Sequence, residues 1–414
     1  MNTKNQKPKA ATNKSVKPSK TPKSAAKPKK TDSKPKKSKT PRTKKQKIVL
    51  AIIITILILL IIAVGVIFYF IIRPSEQAKN QRVEFPDPVY SVLTGEEISD
   101  AALNENPTYC IQIPNGADGG RPQAGLNQAG VVFEAIAERG ITRFAAIFQN
   151  PTTSAIGPIR SLRPYYLDWD IPFDCTVVHA GGSDEAMTAL RSSNQPDLNE
   201  SLTYMWREQS GMRGWNNLFT SSDKLAQFSN DDNHTKSTVS AFPRLTPEEA
   251  EEIITENQTC PEETEECEIN YVSPSIKFGA MPSYNTTYTY DPETNAYARF
   301  YATGEAHTTY DCAAGLSEPE TYTDCGEPIQ ITPSVIIAMI VNEGQMSDGY
   351  HEDITTVSSG NAVIFQNGDV IEGTWTKSSQ NSQIVFMDNS GQEIRFTPGQ
   401  LWISAIPQYG SVSY

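Results

Sequence analysis

Twenty-five consecutive residues without a charge, IVLAIIITILILLIIAVGVIFYFII from Ile48 to Ile72, constrain this chain more than any other feature. At about 1.5 Å per residue, a helix of that length exceeds the roughly 30 Å hydrocarbon core of a bilayer. A cleaved signal peptide is the competing reading, since Ala63-Val64-Gly65 is a weak cleavage-like site. Apolar residues continue from Val66 to Ile72, however, and the run is too long for the apolar core of a signal peptide. One transmembrane helix, a retained signal anchor, is therefore expected. Residues 1–47 hold 17 Lys, one Arg and a single acid, Asp32, so this tail carries +17 in a chain of net charge −12. The remainder carries the difference, −29. A basic flank stays on the cytoplasmic side, which places the N-terminus in the cytoplasm and residues 73–414 outside the cell membrane.

The tail is Lys, Pro, Ser and Thr with almost nothing to bury, a composition that stays disordered. A solvated topology determinant is the favoured role. Contact with anionic lipid or nucleic acid through counterion release are the alternatives, and nucleic acid is not expected as a partner. All six cysteines lie beyond the apolar run, and an even count in an extracytoplasmic domain reads as disulfides. Cys260–Cys267 and Cys312–Cys325 are near neighbours suited to short-loop bridges. Cys110 and Cys175 sit in apolar runs, where they either pair across adjacent strands or stay as buried thiols. No CxxC or His/Cys cluster occurs, so neither a metal nor a cofactor is expected.

Residues 73–106 read as a charged, Pro-containing stalk. From there, TYCIQI, GVVFEAIAE, ITRFAAIFQ and FDCTVVHAGG are apolar runs of strand length, and GVVFEAIAE also suits a strand running into a helix. Ser183 is a fitting N-cap for a helix over DEAMTALRSS, and SSDKLAQFS reads as a second helix. Thr246-Pro247-Glu248-Glu249 is a capping box opening a third. Beyond residue 270 the signals are β, with hairpin turns at DPETN and NGD. The expected class is α+β. A mixed α/β N-terminal domain covers 107–245, an acidic helix and loop 246–269, and a smaller antiparallel-β C-terminal domain 270–414.

AIGPIRSLRPYY, residues 155–166, is the stretch where chemistry concentrates. Arg121, Arg139, Arg143, Arg160 and Arg163 fall within 43 residues that hold only two acids, Glu134 and Glu138. Arginine suits bidentate capture of carboxylate or phosphate. Gly157-Pro158 is expected to start a helix that puts Arg160 and Arg163 on one face. The opposing reading is internal pairing, with Glu134 and Glu138 neutralising two arginines in a buried network. HAGGSD, residues 179–184, resembles a strand end turning into a helix, where glycines let backbone approach a ligand. The candidate ligand-binding set is Arg121, Arg143, Arg160, Ser161, Arg163, His179, Gly181, Gly182 and Asn217. For catalysis, His179 with Glu134, Glu138 or Asp184 are the candidates, although no GxSxG, HExxH or P-loop spacing supports an enzyme. Trp215 in RGWNNLFT suits sugar stacking and equally a packed loop.

RPQAGLNQAGVVFEAIAERGITRFAAIF, GPIRSLRPYY, HAGGS, VLTG and GWNNLFTSS occur in that order, with a C-terminal run from NAVIFQNGDVIEGTWTK to TPGQLWISAIP. Together they resemble the YerB-type family of bacterial cell-envelope lipoproteins, over about residues 90–410. The resemblance implies an N-terminal domain, a separate C-terminal domain and an envelope location, but no reaction. Three features depart from it. No cysteine precedes Cys110 for lipidation, Trp215-Asn216-Asn217 stands where the family tends to carry Pro-His-Asn, and Arg139-Gly140 replaces Gly-Gly. The reading that results is a single-pass envelope protein that binds an anionic wall component, a peptide carboxylate or a polymer phosphate. A wall hydrolase using His179 and an envelope scaffold are the alternatives, and the partners expected are the membrane and a wall component or envelope protein.

Overall fold

The computed structural model describes residues 43–72, 88–208, 215–257, 269–279, 281–313 and 325–414. They fall into two compact units, one ending at Phe85 and the other covering Pro86–Tyr414. The disordered-tail expectation and the Cys260–Cys267 pair lie outside the described residues.

In the first unit, helix α1 spans Lys44–Ile72. Its side chains from Ile52 to Val66 are apolar or small and exposed. Among the described residues no helix is long and apolar enough to cross a membrane. The expectation of one transmembrane helix over 48–72 is corrected accordingly.

The second unit is mostly β. Over all the described residues of both units, strand outnumbers helix, 37% to 22%, which also corrects the α+β class. Ten strands build one mixed sheet: β1 Thr108–Pro114, β2 Val131–Glu138, β3 Ile141–Gln149, β4 Cys175–His179, β5 Asp197–Asn199, β6 Val335–Val341, β7 Ser359–Gln366, β8 Asp369–Thr376, β9 Val385–Asp388 and β10 Leu401–Pro407. Their order is β9-β8-β7-β6-β10-β2-β3-β1-β4-β5. The late strand β10 lies between the halves, parallel to β6 on one side and to β2 on the other. In place of a mixed domain beside a small antiparallel one, a single sheet therefore runs through both.

Burial on both faces explains the sequence pattern. Val131, Phe133 and Ala135 of β2 pack on one face with Leu401, Ile403 and Ala405 of β10, while Val132 and Trp402 pack on the other. A strand covered on both sides needs a continuous apolar run rather than alternation. VVFEAIAE is accordingly strand throughout, with no helix following it. Helix α2, Pro164–Asp170, and helix α3, Asp184–Ser192, cover the first face. Helix α4, Ser222–Asp231, packs on the second face beside β1–β3. A four-stranded sheet that includes Thr286–Asp291 and Ala296–Tyr301 covers the second face beneath β6 and β7.

Local signals hold at the helix starts. The Ser183 hydroxyl accepts from the Ala186 amide at 3.2 Å. Thr246 and Glu249 exchange capping-box bonds of 2.8 and 3.2 Å at the start of α5, Pro247–Asn257. Asn367 and Gly368, both at positive φ, turn β7 into β8 as a type I′ hairpin requires. Disulfides join Cys110 to Cys175 and Cys312 to Cys325. The first links neighbouring parallel strands β1 and β4.

One buried carboxylate ties the halves together. Glu134 of β2 is fully buried. Its Oε2 accepts from Arg299 Nη2 at 2.8 Å and from Trp402 Nε1 at 2.9 Å. Its Oε1 accepts from Thr142 Oγ1 at 2.9 Å and Asn115 Nδ2 at 3.4 Å. Burial works against the Arg299 charge, but Glu134, Tyr288 and Tyr301 together offset it and hold the guanidinium above its ordinary value. Arg299 Nη1 donates to His307 Nδ1, so the His307 proton sits on Nε2 and is donated to Gln123 Oε1 at 3.0 Å. Burial, then Arg299 and Arg121, push His307 well below its usual value, consistent with a neutral ring.

Arg299→Met leaves Glu134 charged, buried and short of its cation, which should cost about 3–5 kcal/mol in guanidinium unfolding. Because the sheet is shared, near- and far-UV circular dichroism should report one coincident transition. Two separated transitions would contradict a shared core.

Candidate functional site

The β2–β3 hairpin turns at Arg139-Gly140, both at positive φ, which places Glu138 and Arg143 on neighbouring strands. Arg143 Nη2 donates to Glu138 Oε1 at 3.0 Å, and Arg163 Nη2 donates to the same oxygen. All three side chains are buried. Arg143 Nη1 also reaches the Ser161 carbonyl at 2.5 Å, and Arg163 Nη1 the Leu162 carbonyl at 2.9 Å. The tyrosines that follow clamp the hairpin from behind. Tyr165 donates to the Ile136 carbonyl at 2.7 Å, while Tyr166 lies 2.9 Å from the Ala135 carbonyl and 2.7 Å from that of Arg143.

Arg160 differs. The expected helix from Gly157-Pro158 does not form, and the chain stays extended until Arg163 caps α2. Pro164 disfavours helical backbone at the residue before it, and Arg163 sits at φ −123° and ψ 155°. Arg160 lines the same cavity as Glu138 and Arg143 but does not join their ion pair. Among the described residues no side chain hydrogen-bonds to its guanidinium or forms an ion pair with it. Burial, then Arg143 and Arg207, lower its pKa, while Asp118 acts in the opposite direction.

Two cavities meet at Arg160. One, of about 420 Å³, is lined by Arg160, Arg143, Glu138, Asp118, Trp215 and Tyr350 among others. The second, of about 520 Å³, shares Arg160 and Trp215 and adds Gly181, Asn199, Glu200 and Arg207. Both sizes fall in the range of small-ligand sites. Tyr350 comes from a hairpin formed by Glu343–Gln345 and Glu352–Ile354, and the Arg139 guanidinium lies 4.9 Å from its ring centre. Arg207 pairs with Glu200 and donates to Asn217 Oδ1 at 2.5 Å.

The remaining sequence candidates divide. Ser161 borders the second cavity, where its hydroxyl donates to the Ala180 carbonyl at 3.0 Å. Gly181, at φ 66°, lines that cavity too, while Gly182 packs against Leu162 and Met187. Asn217 is tied to Arg207 and to the Glu208 carbonyl at 3.1 Å. Arg121 belongs to the Glu134 network: its Nε donates to Asn115 at 2.8 Å and its guanidinium lies 3.5 Å from the Tyr301 ring centre. His179 is fully buried, with Nδ1 2.7 Å from the Gly181 carbonyl and Nε2 2.8 Å from Asp197 Oδ1. Neither nitrogen is presented to a cavity as a base. Asp184 sits exposed in the first turn of α3, and Glu134 is enclosed. Among the described residues no group of three or more His, Cys, Asp or Glu side chains gathers as a metal site. Tyr350, Arg207 and Asp118 escaped the sequence reading; an aromatic after Asp348-Gly349 was the one local hint of the first.

Residues 93–236 match the N-terminal domain, and 275–403 the C-terminal domain, of the family described as Protein of unknown function (DUF3048). The chain belongs to the DUF3048 family. YerB of Bacillus subtilis (strain 168), described as a candidate lipoprotein, is 26% identical over 352 residues, covering 84% of this chain and 95% of YerB. A crystal structure of Bacillus subtilis YerB superposes with a TM-score of 0.61 at 24% identity, covering 79% of this chain and all of that one. In this DUF3048 protein the cleft joins both matched segments, Arg160 from the first and Tyr350 from the second.

The hairpin bearing Tyr350 carries a titratable base. Burial pushes the Glu343 carboxyl up to about 7, though Tyr409 donates to it at 2.6 Å. An unfolded glutamate ionises near 4.5, so the folded state favours the protonated form. That contribution is fully present below about 4.5 and is lost as pH rises through about 7. Glu343→Gln should remove this part of the pH dependence of Tm between pH 4 and 8; an unchanged profile would refute it. Glu138→Gln strands two buried guanidiniums and should cost about 3–5 kcal/mol in chemical denaturation. Arg160→Ala, with no ion pair to break, should stay within about 1 kcal/mol of the parent; the reverse ranking would contradict the division drawn between these arginines.

Proposed function

We propose that this protein is a cell-envelope-associated binding protein whose cleft at Arg160 takes an anionic ligand, a wall-peptide carboxylate or a polymer phosphate. One observation carries the reading. On a body whose residues beyond 47 total −29, Arg143 and Arg163 are neutralised by Glu138, while Arg160 stands without an ion pair where two cavities meet. A partly buried guanidinium without a carboxylate costs desolvation that a bound anion offsets. The envelope location is supported by the description of YerB as a candidate lipoprotein and by the two disulfides, which suit an oxidising compartment. The wall-hydrolase reading gains no support from His179, whose ring is enclosed and engaged at both nitrogens.

Calorimetric titration of the full-length protein with inorganic phosphate should give saturable binding that weakens as salt rises. Arg160→Ala should lower the affinity at least tenfold, roughly the 1.4 kcal/mol or more of a charge-assisted contact. Equal affinity in parent and variant would refute the site.

A further inference from the structure

The second residue common to both cavities is Trp215, and it is 75% exposed. Trp169, Trp375 and Trp402 are at most 1% exposed, and Trp206 stacks on Phe219. An indole left in solvent beside a cavity is an unused flat apolar face with a polar edge. Tyr350, 42% exposed and beside the Arg139 guanidinium, also lines the first cavity. Besides the charged side chains Asp118, Glu138, Arg143, Glu200 and Arg207, short amides line the two cavities. Asn216 borders the first cavity and Asn199 the second. The Asn199 amide oxygen is taken by the Gly181 N–H at 2.9 Å, which leaves its NH₂ group as a donor.

Resting on the reading of Arg160 as an anion site, we propose that the ligand is an anionic glycan fragment. Its phosphate or carboxylate sits on Arg160, one sugar ring stacks on Trp215, and the adjoining unit enters the second cavity. The C–H faces of a sugar ring match an exposed indole, its hydroxyls match short amide side chains, and its charge matches an unpaired guanidinium. A peptide ligand fits less well. Side-chain anchors require apolar pockets, whereas the aliphatic and proline lining of the two cavities is limited to Pro114, Ile141 and Ala180. The position of Arg160 between the cavities suits a charge that links two units rather than one at a chain end.

The test uses full-length protein and four probes: N-acetylglucosamine 1-phosphate, glucuronic acid, N-acetylglucosamine and inorganic phosphate. Affinities are read by calorimetry and by indole fluorescence. The sugar phosphate should bind at least tenfold tighter than either phosphate or the neutral sugar, with a change in emission. Trp215→Ala should reduce the sugar phosphate to the level of inorganic phosphate and abolish the emission change, while phosphate affinity stays within twofold. Trp215→Phe should retain the preference. The ranking of the sugar phosphate against glucuronic acid decides which anionic group is the source. The glycan assignment is overturned if the sugar phosphate binds no tighter than phosphate, or if Trp215→Ala leaves its affinity unchanged. If phosphate still binds in an Arg160-dependent manner, only the glycan assignment falls; if no anion binds, the anion site falls with it.

Discussion

The Glu134 carboxylate is the point on which the second unit turns. A charge buried in a sheet covered on both faces is tolerated only when it is paired and its remaining lone pairs are filled. Glu134 meets that condition by drawing on four separate places in the chain: Asn115 beyond β1, Thr142 on β3, Arg299 on the covering sheet and Trp402 on β10. Two of these lie more than 160 positions away in sequence. None of those segments can slip in register without leaving a buried polar group bare. The interaction therefore fixes β10 beside β2, and with it the union of the two family segments into one sheet.

That union is also what builds the cleft. With β10 in place, the hairpin over residues 343–354 returns to the β2–β3 turn, where the His351 backbone forms a β-bridge with that of Glu138 and Tyr350 meets Arg139. The N-terminal segment supplies Arg160 and Trp215, and the C-terminal segment supplies Tyr350 to the same lining. The local excess of arginine thus serves two ends. Arg299, Arg143 and Arg163 are matched to buried glutamates and hold strands in place, while Arg160 is positioned by the same framework and left unmatched. Taking the arginines as one group hides this division, because composition counts charges and cannot say which acid each one meets.

What could be read in advance depended on the range of the interactions. Caps at Ser183 and Thr246, the Asn367-Gly368 turn and the Cys312–Cys325 bridge are decided within a few residues and were legible. Most strands were visible as apolar runs, but burial on both faces removes the alternation that separates strand from helix, so the end of GVVFEAIAE was ambiguous. The shared sheet was not legible, since nothing near Val131 encodes its pairing with Leu401. The extended backbone at Arg163 was available from Pro164, yet the Gly-Pro pair ahead of it suggested a helix instead. Glu134 and Glu138 are both paired internally, but Arg299, the partner of the first, lies far outside the arginine-rich window.

The central claim is that Arg160, and not the paired arginines behind it, receives an anion. Crystals soaked in tungstate test this most directly, because the metal's anomalous signal places the anion without reference to affinity. The account predicts a peak within hydrogen-bonding reach of the Arg160 guanidinium, where the two cavities meet, and its disappearance in crystals of Arg160→Ala. A peak elsewhere that survives the substitution, or an empty cleft at saturating tungstate, would contradict it.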